Sequence, residues 1–246
     1  MKLINIPEKP IVDYRQLPKL GLNSPEFRHL KLLVGWVIYF ILYALTEHLI
    51  PLSACHEVHC RLDDMIPFTE SFVIWYCSWF LLVFFSLLFF MRYDIEGFKR
   101  LQIFIMITQA IAMAIYICWP SIQHMRPQSF DHQNVFTWVL SIIYWFDTPT
   151  GIMPSLHVAY TMGIVSTWFK FKGSTPAWKV IMTVWFILIS LSTLFIKQHS
   201  AIDVMAALPL GLFAEFLIYG IKWKKGPLSE EERFNPKRSR ARVQEV

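Results

Sequence analysis

The chain has 246 residues, of which 55% are hydrophobic and 16% aromatic, and its formal net charge is +5. This composition is typical of a protein embedded in lipid and excludes an ordinary soluble domain. The basic residues flank apolar runs and are not interleaved with aromatic ones, which favours an anionic membrane surface and excludes nucleic acid as a partner.

Six apolar runs along the chain are each close to the ~20 residues that cross a bilayer as a helix. They are approximately residues 31–50, 71–91, 101–120, 155–171, 179–196 and 203–222. A mixed segment from Asp131 to Phe146 follows the third run, and its Trp138, Tyr144 and Trp145 predict a helix at the membrane interface. The sequence therefore predicts an all-α membrane protein with six transmembrane helices and an extra interfacial helix before the fourth span.

Lysine and arginine residues are distributed unevenly between the two ends of these spans. Of the 23 such residues, 20 fall at one end, and only Arg61, Arg126 and Lys197 fall at the other. Because basic loops stay in the cytoplasm, both termini are predicted to be cytoplasmic. We expect a cytoplasmic N-terminal segment over 1–30, a six-helix membrane domain over 31–222 and a charged cytoplasmic tail over 223–246 whose composition predicts disorder.

A first polar cluster, Pro154-Ser155-Leu156-His157, stands at the extracytoplasmic start of the predicted fourth span. Polar groups at membrane depth are costly and usually mark a functional site. With Pro154 at the first helical position, the amides of Ser155, Leu156 and His157 lack intrahelical partners. Such amides can cradle a phosphate, and the hydroxyl of Ser155 adds another donor.

A second polar cluster stands at the matching end of the predicted sixth span. Asp203 lies one helical turn after His199, where its carboxylate can fix the imidazole tautomer. Arg126, followed by proline in the loop before the first cluster, offers a planar bidentate donor for phosphate, or else anchors the chain at the interface. Lys197 has the same two interpretations, as an anchor or as a phosphate ligand.

These residues resemble three signatures of the type 2 phosphatidic acid phosphatase superfamily. The signatures are Lys, six residues, Arg-Pro; Pro-Ser-x-His; and Ser-Arg, five residues, His, three residues, Asp. The second is complete here, and the third reads Ser192, Thr193, five residues, His199, three residues, Asp203. The first survives as Arg126-Pro127, with Trp119 in place of its lysine, and Thr193 replaces the arginine of the third. These departures, with Leu62–Phe68, resemble the bacterial lipid phosphatases related to sphingomyelin and inositol phosphorylceramide synthases.

The resemblance implies phosphoryl transfer through a phosphohistidine, with no metal and no cofactor. His199, oriented by Asp203, is expected to attack the phosphate of a membrane lipid, and His157 to protonate the leaving alcohol. The groups expected to hold the phosphate oxygens are Ser155, the amide of Leu156, Arg126 and Lys197.

Three functions remain open from the sequence. A lipid phosphatase acts on a phosphomonoester or pyrophosphate with water as acceptor, whereas a headgroup transferase uses the same residues with a lipid hydroxyl. A non-enzymatic transporter or scaffold is the third, disfavoured because the span interiors lack the charged relay of coupled transport. The lipid, the acceptor and the oligomeric state are not specified by the sequence.

Two further features allow more than one interpretation. Residues 55–60, Cys-His-Glu-Val-His-Cys, are compatible with a metal site, a disulfide or two free thiols. Glu215, in the predicted sixth span, is expected either to snorkel to the inner interface or to be paired.

Overall fold

A computed structural model of the chain describes residues 2–220, so the predictions for the 223–246 tail lie outside the described residues. The described part is helical apart from loops and one two-stranded pairing. The α-helices are α1 (Leu17–Leu20), α2 (Val34–Leu49), α3 (Arg61–Met65), α4 (Val73–Tyr93), α5 (Ile95–Cys118), α6 (Val135–Phe146), α7 (Leu156–Lys170), α8 (Pro176–Phe195) and α9 (Ala201–Glu215). Four short 3-10 helices are Tyr14–Gln16, Arg28–Leu33, Leu52–Ala54 and Glu70–Phe72, and a π-helical turn, Phe216–Gly220, extends α9. Strands β1 (His56–Glu57) and β2 (Ser121–Ile122) pair in parallel.

Five helical segments are long and apolar enough to cross a membrane. They are Arg28–Leu49, Glu70–Tyr93, Ile95–Cys118, Pro176–Phe195 and Ala201–Gly220. The chain is thus an all-α, multi-pass membrane protein, as its composition predicts. Local caps set the ends of these helices: the Asp94 side chain accepts from the Gly97 amide at 2.9 Å, which starts α5 at Ile95.

The predicted fourth span corresponds to α7, which is shorter than the other five. It has 15 residues, so its length is about 22 Å, less than the ~30 Å of a hydrocarbon core. Helices α4, α5, α8 and α9 all pack against it. A Cβ added at Gly163 would lie 2.4 Å from the Phe104 ring of α5, so glycine is what permits this close approach. Helix α7 is therefore the central element of the bundle.

The segment predicted as an interfacial helix forms α6, which begins at Val135 and not at Asp131. The reason is the Asn134 side chain, which accepts from the amides of Phe136 and Thr137 at 2.8 and 3.0 Å and so fixes the first turn. One face of α6 buries Leu140 against α4, whereas Trp145 is 84% exposed. The exposed face of α6 is largely apolar, and the helix lies beside the loop before α9 through the Tyr144 hydroxyl.

The two ends of the bundle are built differently. At one end, the β1–β2 pairing and a bridge from Ile122 to Thr150 join the loops that follow α2, α5 and α6. At the other end, the N-terminal segment is docked on the last turn of α4 and on the loop that follows α7. The amide of Asn5 donates to the Gly173 carbonyl at 2.8 Å, and Tyr14 donates to the Met91 carbonyl at 2.7 Å. Residues 2–30 therefore pack against the membrane helices.

Candidate active site

The start of α9 positions His199 and Asp203. The Asp203 carboxylate accepts from the Ser200 amide at 2.8 Å, and the same oxygen lies 3.2 Å from Nδ1 of His199. Asp203 is fully buried. Because a carboxylate only accepts, the hydrogen-bond network assigns the proton of His199 to Nδ1 and leaves the lone pair on Nε2. The i, i+4 spacing therefore brings the two residues together with Nε2 directed away from the acid.

His157, on the first turn of α7, lies directly opposite His199. Its Nδ1 is 3.4 Å from Nε2 of His199. Helix α4 supplies the walls of the site, because the imidazole packs against Tyr76 and Trp79 with ring centroids 4.6 and 4.3 Å apart. The outer nitrogen, Nε2, is buried and has no hydrogen-bond partner in the described residues. The inner nitrogen of His157 thus faces His199, and its outer nitrogen is left unpaired.

The phosphate cradle predicted before His157 is shifted by one residue. Pro154 is not at the first helical position, because α7 begins at Leu156 with Ser155 as its N-cap. The Ser155 amide is also unavailable, since it donates to the Asp203 carbonyl at 3.1 Å. The first-turn amides from Leu156 onward lack intrahelical partners by helix geometry. Ser155 is completely buried, and its hydroxyl has no partner within residues 2–220.

The loop that leads into α7 is fixed from three sides. Tyr116 of α5 donates to the Pro154 carbonyl at 2.7 Å. The hydroxyl of Ser121 accepts from the amides of Ile152 and Met153 at 3.1 and 3.2 Å. Glu47 of α2 accepts from the hydroxyl of Thr150 at 2.8 Å. These bonds hold the N-terminus of α7 in place before any ligand arrives.

The Arg126 side chain binds backbone carbonyl groups in the structure. Its guanidinium donates to the carbonyls of Asp147 at 2.7 Å, Thr148 at 3.1 Å and Tyr144 at 3.4 Å, and it lies 4.7 Å from the centre of the Tyr144 ring. It thereby closes the C-terminal end of α6, where carbonyls have no helical partner. Within the described chain, Nε is the buried atom of this side chain that stays unpaired. Arg126 shapes the loop before α7, and its contact with phosphate stays a prediction.

Lys197 is also engaged by carbonyl groups. Its ammonium donates to Asp63 at 2.8 Å and Ile66 at 2.6 Å, which end the short helix α3. Burial lowers the pKa of Lys197, although Asp63 and Asp64 oppose that change. Two of the three ammonium donors are therefore taken, which favours the anchor over the phosphate ligand among the two interpretations of this residue. Phosphate binding by Lys197 stays a prediction.

Asp63 was assigned no role from the sequence, yet it holds the loop of residues 196–200 that leads into α9. This loop is called the catalytic loop because it carries His199, the residue expected from the sequence to be the nucleophile. Its carboxylate accepts from the Ser200 hydroxyl at 2.6 Å and from the amides of Ala201 and Cys60, both at 2.8 Å. Burial raises the pKa of Asp63, but these hydrogen bonds outweigh burial and leave the pKa below its ordinary value. The segment around Asp63 also contains Glu57, Arg61 and Asp64, so nothing in the local sequence distinguished Asp63.

Asp147 and Gln198 were also missed. The amide nitrogen of Gln198 donates to Asp147 at 3.0 Å and to the Tyr76 hydroxyl at 3.3 Å, while Tyr43 donates to the other carboxylate oxygen of Asp147 at 3.1 Å. Burial raises the pKa of Asp147, and the charge of Arg126 and the hydrogen bonds from Tyr43 and Gln198 oppose that rise. An acid directly after an apolar helix was the available signal, whereas nothing in the sequence distinguishes Gln198.

Several buried polar atoms at this site have no partner in the described residues. Among residues 2–220 they include the Ser155 hydroxyl, Nε2 of His157, Oε1 of Gln198 and Oδ1 of Asp203. Because buried polar atoms are nearly always paired, such a group of atoms indicates a place prepared for a polar ligand. A phosphate ester has oxygens that can accept a hydrogen bond from the Ser155 hydroxyl. The water or alcohol that attacks or leaves has an O–H group that can donate to Nε2 of His157.

Two other predicted features can be placed. Cys55 and Cys60 are free thiols, and no cluster of three or more potential metal ligands occurs in the part of the chain that the structure describes. A cavity of about 550 Å³ adjoins the catalytic loop and is lined by Asp63, Asp64 and Lys197 together with His59, His124 and others. It meets the loop before α9 at Lys197, and it is large enough for a polar headgroup.

Comparison with models of protein families, with curated proteins and with solved structures gives no match for this chain. The functional argument therefore rests on the geometry of the site and on the motif residues themselves.

Proposed function

We propose that this chain is an integral-membrane lipid phosphate phosphatase that works through a phosphohistidine at His199. The observation that carries the proposal is the arrangement of His199 between Asp203 and His157, 3.2 and 3.4 Å away. A nucleophile, a group that orients it and a proton donor are the parts that covalent phosphoryl transfer needs. The resemblance to the type 2 phosphatidic acid phosphatase superfamily supports the same assignment.

In the first step, Nε2 of His199 attacks the phosphorus, and the bond from phosphorus to the lipid oxygen breaks. The phosphorus must approach Nε2 of His199 to about 3 Å in a productive complex, with the leaving oxygen on its opposite side. The far nitrogen, Nε2 of His157, is then the atom that delivers the proton. Asp203 stabilises the positive charge that develops on His199.

In the second step, the oxygen of water bonds to phosphorus, the bond from phosphorus to nitrogen breaks, and His157 takes the proton of the water. Inorganic phosphate leaves, and both histidines return to their starting states. The Ser155 hydroxyl and the amides that begin α7 donate to the non-bridging oxygens throughout. The residues of this chain thus account for every proton in the cycle.

The transferase is the second candidate, and the cavity beside Asp63 and Lys197 favours it. A cavity of about 550 Å³ has room for the headgroup of a second lipid. In that reaction a lipid hydroxyl replaces water in the second step. The same residues serve both reactions, so the products decide between them.

The test is an incubation of purified protein with phosphatidic acid, an isoprenyl pyrophosphate and phosphatidylglycerol phosphate, with and without acceptor lipids. We expect free phosphate from at least one substrate, in the presence of a chelator. New phospholipid in place of phosphate would assign the transferase, and a strict need for a divalent cation would contradict the metal-free mechanism. No turnover with any substrate would favour a transporter or scaffold.

The proposal includes a topology with six spans, α7 being the fourth, both termini cytoplasmic and the histidines outside. Its support is the excess of basic residues at the end opposite the histidines. Single cysteines introduced at Gln128 and at Arg238 test it in intact cells. The impermeant reagent is expected to label position 128 and not 238, and the reverse pattern would invert the topology.

A further inference from the structure

The side chain of Gln198 leaves one buried acceptor unused next to the nucleophile. Gln198 is 2% exposed, and its Nε2 donates to Asp147 at 3.0 Å. A carboxylate only accepts, so the amide cannot be reversed, and the atom left over is Oε1. This oxygen is buried and has no partner in residues 2–220. It requires a hydrogen-bond donor that those residues do not supply.

The amide lies close to both histidines. Gln198 directly precedes His199 in the loop before α9, and its Nε2 donates to the Tyr76 hydroxyl at 3.3 Å. The ring of the same tyrosine packs on His157 with centroids 4.6 Å apart. The second unpaired acceptor at the site is Nε2 of His157. Two unpaired acceptors therefore belong to residues that contact the same tyrosine, Tyr76.

We propose that Gln198 selects water over alcohols in the second step, an inference that rests on the phosphatase function given above. A water molecule has two O–H donors, one for Oε1 of Gln198 and one for Nε2 of His157. An alcohol has a single O–H donor, and that proton must pass to His157 when the alcohol attacks. Oε1 of Gln198 then stays unpaired. The water oxygen bonds to phosphorus, its proton passes to His157, and the bond to His199 breaks. Gln198 is a positioning residue that keeps the second O–H in place.

The experiment measures which acceptor takes the phosphoryl group. An activated aryl phosphate is given to the full-length protein in water with methanol, and the burst of phenol, inorganic phosphate and methyl phosphate are followed. Gln198→Met removes the oxygen, together with the amide donor to Asp147 and Tyr76, with little change in shape, and Gln198→Leu is a second version. Gln102→Met is the matched control, because Gln102 is a fully buried amide whose contacts are with Trp36 and Leu32.

We expect the wild type to favour water over methanol per molecule. In both Gln198 variants, the burst should be retained, hydrolysis should fall about tenfold and the ratio of methyl phosphate to phosphate should rise by a similar factor. The Gln102 variant should keep the wild-type ratio. A wild type that prefers methanol per molecule, or variants with an intact burst and an unchanged ratio, would overturn the role of Gln198. Absence of a burst and of phosphohistidine in the wild type would overturn the proposed function itself.

Discussion

Helix α7 carries a polar cluster at each end, and the two clusters differ in how their groups are paired. At the C-terminal end, Ser166 lies 2.8 Å from both oxygens of Glu215, and Lys170 is bound to the same carboxylate. Of the two alternatives expected for Glu215, snorkelling or pairing, the structure shows pairing. At the N-terminal end, Ser155 and His157 each keep a buried atom without a partner in the described chain. Groups that satisfy one another stabilise a fold, whereas unpaired buried groups retain places for a ligand.

His199→Ala should cause the largest loss of turnover of any substitution at the N-terminal end of α7. Loss of the nucleophile prevents the covalent step, so turnover should fall by about 10⁴-fold or more on an alkyl phosphate and on an activated aryl phosphate alike. The control is His59→Ala, since His59 pairs with Asp64 near the surface. Phosphate release measures the effect. Acid-labile phosphate trapped on a protein without His199 would show that another residue is the nucleophile.

His157→Ala should have a smaller effect that depends on the leaving group. General acid catalysis contributes about 10²- to 10⁴-fold, and a good leaving group needs little protonation. Turnover of the alkyl phosphate should therefore drop within that range, while the aryl ester should recover to within about tenfold of the wild type. The two substrates are compared at saturation. Equal losses on both substrates would show that His157 is not the proton donor to the leaving group.

The parts of the site that the sequence could predict are those set by local geometry. The i, i+4 relation of His199 to Asp203 and the helix start before His157 follow from short spacings in two amphipathic elements. The partners of Arg126 and Lys197 depend on where distant carbonyls come to lie. No local pattern encodes that Lys197 meets the end of α3, 134 residues away for Asp63 and 131 for Ile66. The same holds for Gln198 and Asp147, which meet only in the folded chain.

Ser155→Ala removes an unpaired hydroxyl, so it should lower turnover strongly and leave stability almost unchanged. A donor to the phosphate oxygens is typically worth about 10²-fold in turnover. Because the hydroxyl makes no bond among the described residues, its removal should leave the melting temperature within about 2 °C of the wild type. Turnover and thermal unfolding in detergent are measured on one preparation. A large drop in melting temperature would place Ser155 in the fold and not in the site.

Asp63→Asn tests how far the catalytic loop depends on a single carboxylate. The amide group cannot accept from Ser200, Ala201 and Cys60 together, so we expect a loss of about 1–3 kcal/mol in stability at pH 7 and about tenfold in turnover. Asp64→Asn is the control, because its side chain is 66% exposed.

The pH dependence of stability gives a second measure of Asp63. Its pKa is lower in the folded protein than its ordinary value of 3.8, so the ionised group stabilises the fold above that value. The contribution is lost as the pH falls through the folded pKa. Wild-type stability should thus decline below about pH 4 more steeply than that of the asparagine variant. Parallel curves would mean that Asp63 is not ionised in the fold.

Glu215→Gln should produce the smallest effect, and it completes the comparison of the two ends. The carboxylate contacts Lys170 and Ser166, and side-chain exposures of 27% for Glu215 and 42% for Lys170 weaken the ion pair by solvent screening. Such pairs contribute about 0–1 kcal/mol, so the melting temperature should fall by about 2–4 °C at most. Turnover should stay within about twofold of the wild type, because the glutamine amide still bonds to Ser166 and α7 keeps its place. Ser155→Ala and Glu215→Gln should then separate cleanly, the first lowering activity and the second lowering stability. A tenfold loss of turnover in Glu215→Gln would show that the cluster at the C-terminal end of α7 controls the position of His157 through this helix.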